Sequence, residues 1–86
     1  MKHVRMMMLR QCPYCIKALK YIEQLKKENI YYQNVEIEMI DESEQPDLAN
    51  YYDYYYVPTF YVNDIKVHEG VPSVEKMQMV LEEAIK

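Results

Sequence analysis

Between a short apolar run, Val4 to Leu9, and a helical pattern that opens at Pro13, the chain carries Cys12-Pro13-Tyr14-Cys15. This junction constrains the fold more than any other stretch. Pro13 has a fixed φ and no N–H, and both properties suit the first position of a helix. Cys12 then falls at the helix cap, beside the free N–H groups of the first turn. A thiolate there is stabilised by those donors and by the positive end of the helix dipole, and the thiolate is the nucleophilic form of cysteine. Cys15 lies one turn further along the same face, within reach of a disulfide to Cys12. Cys-x-x-Cys at a strand-to-helix junction is the pattern of a thiol redox site.

The two cysteines are expected to differ. Continuing from Cys15, the apolar positions are Ala18, Leu19, Ile22 and Leu25. Cys15 heads that stripe and should face the core, whereas Cys12 precedes it and should be exposed. Cys12 is therefore the expected attacking thiol and Cys15 the resolving one, with Tyr14 exposed at the rim. Arg10 is a candidate for favouring the Cys12 thiolate, against the plainer reading of a solvated charge at a strand end. The rival readings of the pair are a zinc knuckle and a passive disulfide. Zinc needs four ligands, and His3 and His68 do not have knuckle spacing to the cysteines. They are read as surface residues without a role. A disulfide across so short a loop stabilises little.

At 86 residues the chain is expected to form one domain, residues 1–86. A chain of this size buries roughly 60–65% of its unfolded surface, enough for a single core. Half the residues are hydrophobic, which argues against disorder. The net charge of −4 argues against a nucleic-acid partner. The N-terminal apolar run is shorter than the roughly 7–15 residues of a signal-peptide core, and nothing approaches the roughly 20 apolar residues of a membrane span. The expectation is a soluble, cytoplasmic monomer.

In chain order, Val4 to Leu9 reads as a buried strand and Pro13 to about Lys27 as a helix stopped at Asn29. Tyr31 to about Ile37 reads as a second strand, with Tyr31, Gln33, Val35 and Ile37 on one face. Asp41 to Asp47 reads as a loop, and Pro46 to about Asp53 as a short helix with Leu48, Tyr51, Tyr52 and Tyr55 at helical spacing. The tyrosines from Tyr51 to Tyr56 suit half-buried packing, with Tyr56 the exception because it precedes Val57-Pro58. Thr59 to Val62 and Ile65 to His68 form a hairpin around Asn63-Asp64. Gly70, the only glycine, marks a positive φ or a close approach. Ser73 caps a last helix whose inner face is Val74, Met77, Leu81 and Ala84 or Ile85. The order β-α-β-α-β-β-α gives an α/β fold: a four-stranded mixed sheet with helices on both faces.

Cys12-Pro13-Tyr14-Cys15 together with Tyr56-Val57-Pro58-Thr59 before a hairpin resembles glutaredoxin, a branch of the thioredoxin-fold superfamily. The resemblance spans nearly the whole chain. It implies a thioredoxin-like fold, a cis Val57-Pro58 bond facing the cysteines, and pairing of the Val57 backbone with substrate. Beside Val57 and Pro58, the residues Arg10, Tyr56 and Gly70 are expected to contact substrate or glutathione, with Pro13 and Tyr14 shaping the first turn. The chain departs from the family in two places. His68-Glu69-Gly70-Val71-Pro72-Ser73 keeps one glycine where many glutaredoxins have two, and Leu9 stands where a basic residue usually precedes the first cysteine by three.

The resulting expectation is a thiol–disulfide oxidoreductase that reduces protein disulfides or glutathione mixed disulfides. Its electrons come from glutathione, as a candidate co-substrate, or from a flavoprotein reductase of the thioredoxin-reductase type. No cofactor or metal is required. The alternatives are an iron–sulfur or metal carrier that shares a cluster across a dimer and a binding module that uses the tyrosines.

Overall fold

The structure is a computed structural model that describes residues 1–86. The elements are β1 (Val4–Met8), α1 (Pro13–Glu28), a 3₁₀ turn (Ile30–Tyr32), β2 (Ile37–Asp41), α2 (Pro46–Tyr51), β3 (Thr59–Val62), β4 (Ile65–Glu69) and α3 (Val74–Ile85). The strands form one sheet in the order β2-β1-β3-β4. β1 and β2 are parallel, and β1–β3 and β3–β4 are antiparallel. This is the expected mixed sheet. No helix is long and apolar enough to cross a membrane.

β1 is central and covered on both faces, which explains its apolar residues; Arg5, the one charge within it, is paired with Glu38 at 2.9 Å. Successive residues of a strand point to opposite faces. Met6 and Met8 therefore join Phe60, Cys15, Ile22, Leu81 and their neighbours in the main core under α1 and α3. Met7 points the other way and packs with Ile40 and Tyr61 under α2. Phe60 is fully buried in the main core. Phe60→Ala is expected to destabilise the fold by about 3–5 kcal/mol, the usual cost of emptying a buried aromatic site. Urea unfolding measures this, and a loss under about 1 kcal/mol would mean that the core around β3 collapses onto the gap.

The second strand differs from expectation. Tyr31 to Asn34 is not strand: the Asn29 side chain accepts the Tyr31 N–H at 2.9 Å and caps the 3₁₀ turn. Tyr32 and Val35 enter the core, while Tyr31 and Gln33 are exposed. The strand begins at Ile37 because parallel pairing has to start level with Val4, and its register runs from Val4–Ile37 to Met8–Asp41. A local cap and the length of the crossover thus override an alternating pattern, and β2 extends into what reads as loop. Asn29 does end α1, in extended rather than left-handed backbone.

The other corrections are local. Tyr51 and Tyr55 are exposed, and Ala49 is the buried residue of α2, since the helix ends at Tyr51. Val74 is exposed in the first turn of α3, and Val80 takes the expected inward place beside Met77, Leu81 and Ala84. His68 is buried, not on the surface: β4 turns its ring onto Phe60, and its Nε2 lies 2.9 Å from the Gly70 carbonyl oxygen. Burial holds its pKa below the ordinary value. The β3–β4 turn places Asn63 and Asp64 at φ 48° and 64°, the left-handed pair of a tight hairpin turn. Gly70 has φ +97°, with open space where a Cβ would stand, so backbone conformation and not crowding selects glycine.

Candidate active site

The cysteines sit where β1 hands over to α1. Pro13 is the first helical residue, and Cys12 is the cap residue in extended backbone. The Cys12 N–H returns to the Leu9 carbonyl at 3.1 Å, closing the loop, and the Cys12 carbonyl accepts the Ile16 N–H at 3.1 Å. The Tyr14 and Cys15 N–H groups have no partner in the chain. They are the free donors that a helix start offers to an anion at the cap. Both cysteines are free thiols; Cys12 is half-buried and Cys15 is fully buried. Tyr14 is 48% exposed at the rim.

The loop is pinned by a residue that reading the sequence missed. Asp41, at the end of β2, is buried. Its carboxylate accepts the Arg10 N–H at 3.1 Å, the Ser43 N–H at 2.9 Å and the Ser43 hydroxyl at 2.6 Å. Those bonds, the Ser43 hydroxyl first, hold its pKa below the ordinary carboxylate value. Glu42 N–H donates to the Met8 carbonyl at 3.0 Å, so the β2 end grips the β1 end as well. The signal for Asp41 was its place one strand-length after Ile37, visible only with β2 in register. Arg10 does not stand free beside the thiol: its Nε lies 2.7 Å from Glu44 Oε2 and 3.7 Å from Asp41 Oδ2. Cys12, Arg10, Asp41, Ser43 and Glu44 line one open cavity of about 570 Å³.

The second wall comes from the segment before β3. Thr59 pairs with Met7, so Pro58 stands beside the end of β1 from which the cysteine loop departs. The Val57-Pro58 bond is cis, Pro58 is buried, and the Val57 N–H and C=O have no partner in the chain. The Gly70 N–H donates to the Pro58 carbonyl at 3.0 Å, and the Thr59 hydroxyl donates to the Tyr56 carbonyl. Glu69 accepts the Tyr55 and Tyr56 N–H groups and the Lys66 ammonium at 2.8 Å. Tyr56 itself is 70% exposed. The structure thus brings Cys12, Cys15, Val57, Pro58 and Gly70 to one end of the sheet, with Arg10 there but ion-paired.

Titration behaviour follows from these contacts. Burial pushes the Cys15 thiol up to about 12; the Leu9 backbone works against this, and the Cys12 thiol and the Glu42 charge add to it. Glu42 also accepts the Tyr54 hydroxyl at 3.2 Å, and burial, with the Glu42 charge second, takes Tyr54 to about 12. Glu69 is held down to about 2, first by Lys66 and then by the Tyr55 and Tyr56 N–H groups.

These shifts set the pH profile of stability. A carboxylate with a lowered folded pKa stabilises the fold above its ordinary value and loses that contribution as pH falls through the folded one. Stability should therefore decline between about pH 4.5 and 2 through Glu69, with Asp41 adding to the loss. The raised Cys15 and Tyr54 act in the opposite direction: their contribution is intact below their ordinary values of 9 and 10 and is lost toward 12. Thermal melts across pH test this. Glu69→Gln should flatten the acid limb, and an unchanged limb would remove Glu69 as its source.

Nowhere do three His, Cys, Asp or Glu side chains gather as metal ligands. Two thiolates from one chain fill half of a tetrahedral site.

A four-stranded mixed sheet, a dithiol at the start of α1 and a cis-proline beside it define a thioredoxin-fold protein. The family model described as "Thioredoxin domain" matches residues 2–82, and the chain belongs to that family. No curated protein sequence matches it. A solved structure described as "Structure of a malarial protein" is similar over 99% of this chain and 98% of its own, at 15% identity and a TM-score of 0.71. At that identity the likeness speaks for the fold alone.

Proposed function

We propose that the protein is a glutaredoxin-like thiol–disulfide oxidoreductase. The observation that carries this reading is the asymmetric dithiol: a reachable Cys12 at a helix cap with free N–H donors, and a buried Cys15 one turn on. Cys12 thiolate attacks one sulfur of a substrate disulfide; the far half leaves as a thiolate and takes a proton. Cys15 then loses its proton and attacks the Cys12 sulfur, and the near half leaves as the second thiol. The substrate gains two electrons, and the protein is left with a Cys12–Cys15 disulfide. The extended substrate segment beside the disulfide pairs with the open Val57 N–H and C=O. Solvent takes up the proton that Cys15 gives up. Electrons return from glutathione or from a flavoprotein reductase, and the reducing cytoplasm suits this cycle.

The test offers the oxidised protein NADPH with either glutathione and glutathione reductase or a thioredoxin-type reductase. NADPH loss on adding a disulfide substrate is then followed. Turnover with glutathione makes the protein a glutaredoxin in function, and turnover with the reductase alone makes it a redoxin. No turnover in either arm overturns the proposal.

A further inference from the structure

We infer that the thiol site selects disulfides by charge, taking those flanked by neutral or basic groups over those flanked by carboxylates. This rests on the oxidoreductase reading and names its substrate class. The cavity at Cys12 contains one cation and two anions. The cation is already engaged: Arg10 sets both Nε and Nη2 on Glu44, at 2.7 and 3.3 Å, with Nε 3.7 Å from Asp41. Asp41 in turn is held ionised by Ser43 and the Arg10 N–H. Glu42, the next residue along, adds a negative charge that reaches Cys15.

The opposite wall offers an incoming carboxylate little. The Tyr55 and Tyr56 N–H groups, which flank the open Val57 edge, are occupied by Glu69. In the first turn of α3 the Ser73 hydroxyl occupies the Lys76 N–H, and the charges of Glu75 and Lys76 offset each other. What stays open is uncharged backbone: the Val57 N–H and C=O, the Val74 and Glu75 N–H groups and, at the cap, the Tyr14 and Cys15 N–H groups. A substrate with a carboxylate beside its disulfide meets net negative charge beside Arg10, Glu44 and Asp41. It meets no net positive charge on the other wall, where Lys66 is paired with Glu69 and Lys76 stands next to Glu75. A basic group there meets Glu44 and Asp41. Asp41 is buried, but Glu44 stands at the cavity mouth with its side chain 53% exposed, so salt should weaken the preference.

The experiment uses the reduced protein and three small disulfides that differ in charge: cystamine, bis(2-hydroxyethyl) disulfide and 3,3′-dithiodipropionate. Second-order rates are measured at about 20 mM and about 500 mM salt. Each is divided by the rate of dithiothreitol with the same disulfide, which cancels leaving-group differences. At low salt the normalised rates should fall from cystamine to dithiodipropionate by about tenfold or more, and high salt should compress the span severalfold. Glu44→Gln, which removes one anion and releases Arg10, should cut the cystamine-to-dithiodipropionate ratio at least about threefold. Any general change in Cys12 reactivity cancels in that ratio. Equal normalised rates at low salt, a preference for the anion, or a ratio that Glu44→Gln leaves alone would overturn charge selection while leaving the oxidoreductase standing. No reaction with any of the three would overturn both.

Discussion

Cys12→Ser should remove disulfide reduction altogether, lowering the rate with any disulfide by at least about 10³-fold, because a serine hydroxyl is not ionised at neutral pH and cannot form the mixed disulfide. The structure leaves no substitute nucleophile. Cys15 has no exposed surface, and its thiol is pushed up to about 12, so it is both unreachable and protonated. The loss should be chemical and not conformational. Cys12 is half-buried at the cap, and its side chain makes no capping hydrogen bond; exchanging sulfur for oxygen there should shift stability by no more than about 0.5 kcal/mol. Assays of the variant with insulin and with a small disulfide, alongside a urea melt, separate the two causes. Residual turnover above about 1% in a folded variant would mean that Cys15 attacks, and the roles of the two cysteines would have to be exchanged.

Much of this was legible in the sequence, and the parts that were not share a physical cause. The first helix, the hairpin and the thiol pair were readable because each is written locally: Pro13 at a helix start, Asn63-Asp64 in a tight turn, Ser73 three residues before the Lys76 N–H it caps. The second strand was misplaced because its position is set by its partner. Tyr31 to Ile37 alternates as a strand does, yet pairing begins at Ile37, opposite Val4. With β2 displaced, Asp41 and Glu42 read as loop acids, and their grip on the cysteine loop was invisible. His68 differs for a related reason. A histidine in a polar stretch looks solvated until the fold shows what it touches, here the Gly70 carbonyl and the Phe60 ring. Arg10 was placed at the right end of the sheet, but nothing local announced that Glu44 would pair with it.

Cys15→Ala should separate the two halves of the cycle. With Cys12 intact, attack proceeds and the mixed disulfide forms; with no second thiol it persists. Reduction of protein disulfides should fall by about 100-fold or more, while the Cys12 adduct accumulates to one substrate per protein and is visible by mass. Turnover of glutathione mixed disulfides should suffer less, because a thiol from solution can release that small adduct. Alanine is a better probe than serine: Cys15 is fully enclosed among Ala18, Ile22 and Met77, and a hydroxyl left without a partner there costs about 1–3 kcal/mol. The intact protein supplies the complementary result. Because burial pushes the Cys15 thiol up to about 12, its attack on the mixed disulfide should quicken as pH rises from 7 toward 10. Glu42→Gln removes one of the charges that hold the Cys15 thiol up. The thiol should therefore titrate lower, and release should quicken near pH 7. A general loss of fit at the loop would slow release equally at every pH and leave the Cys15 titration in place, so the two explanations diverge in a single pH series.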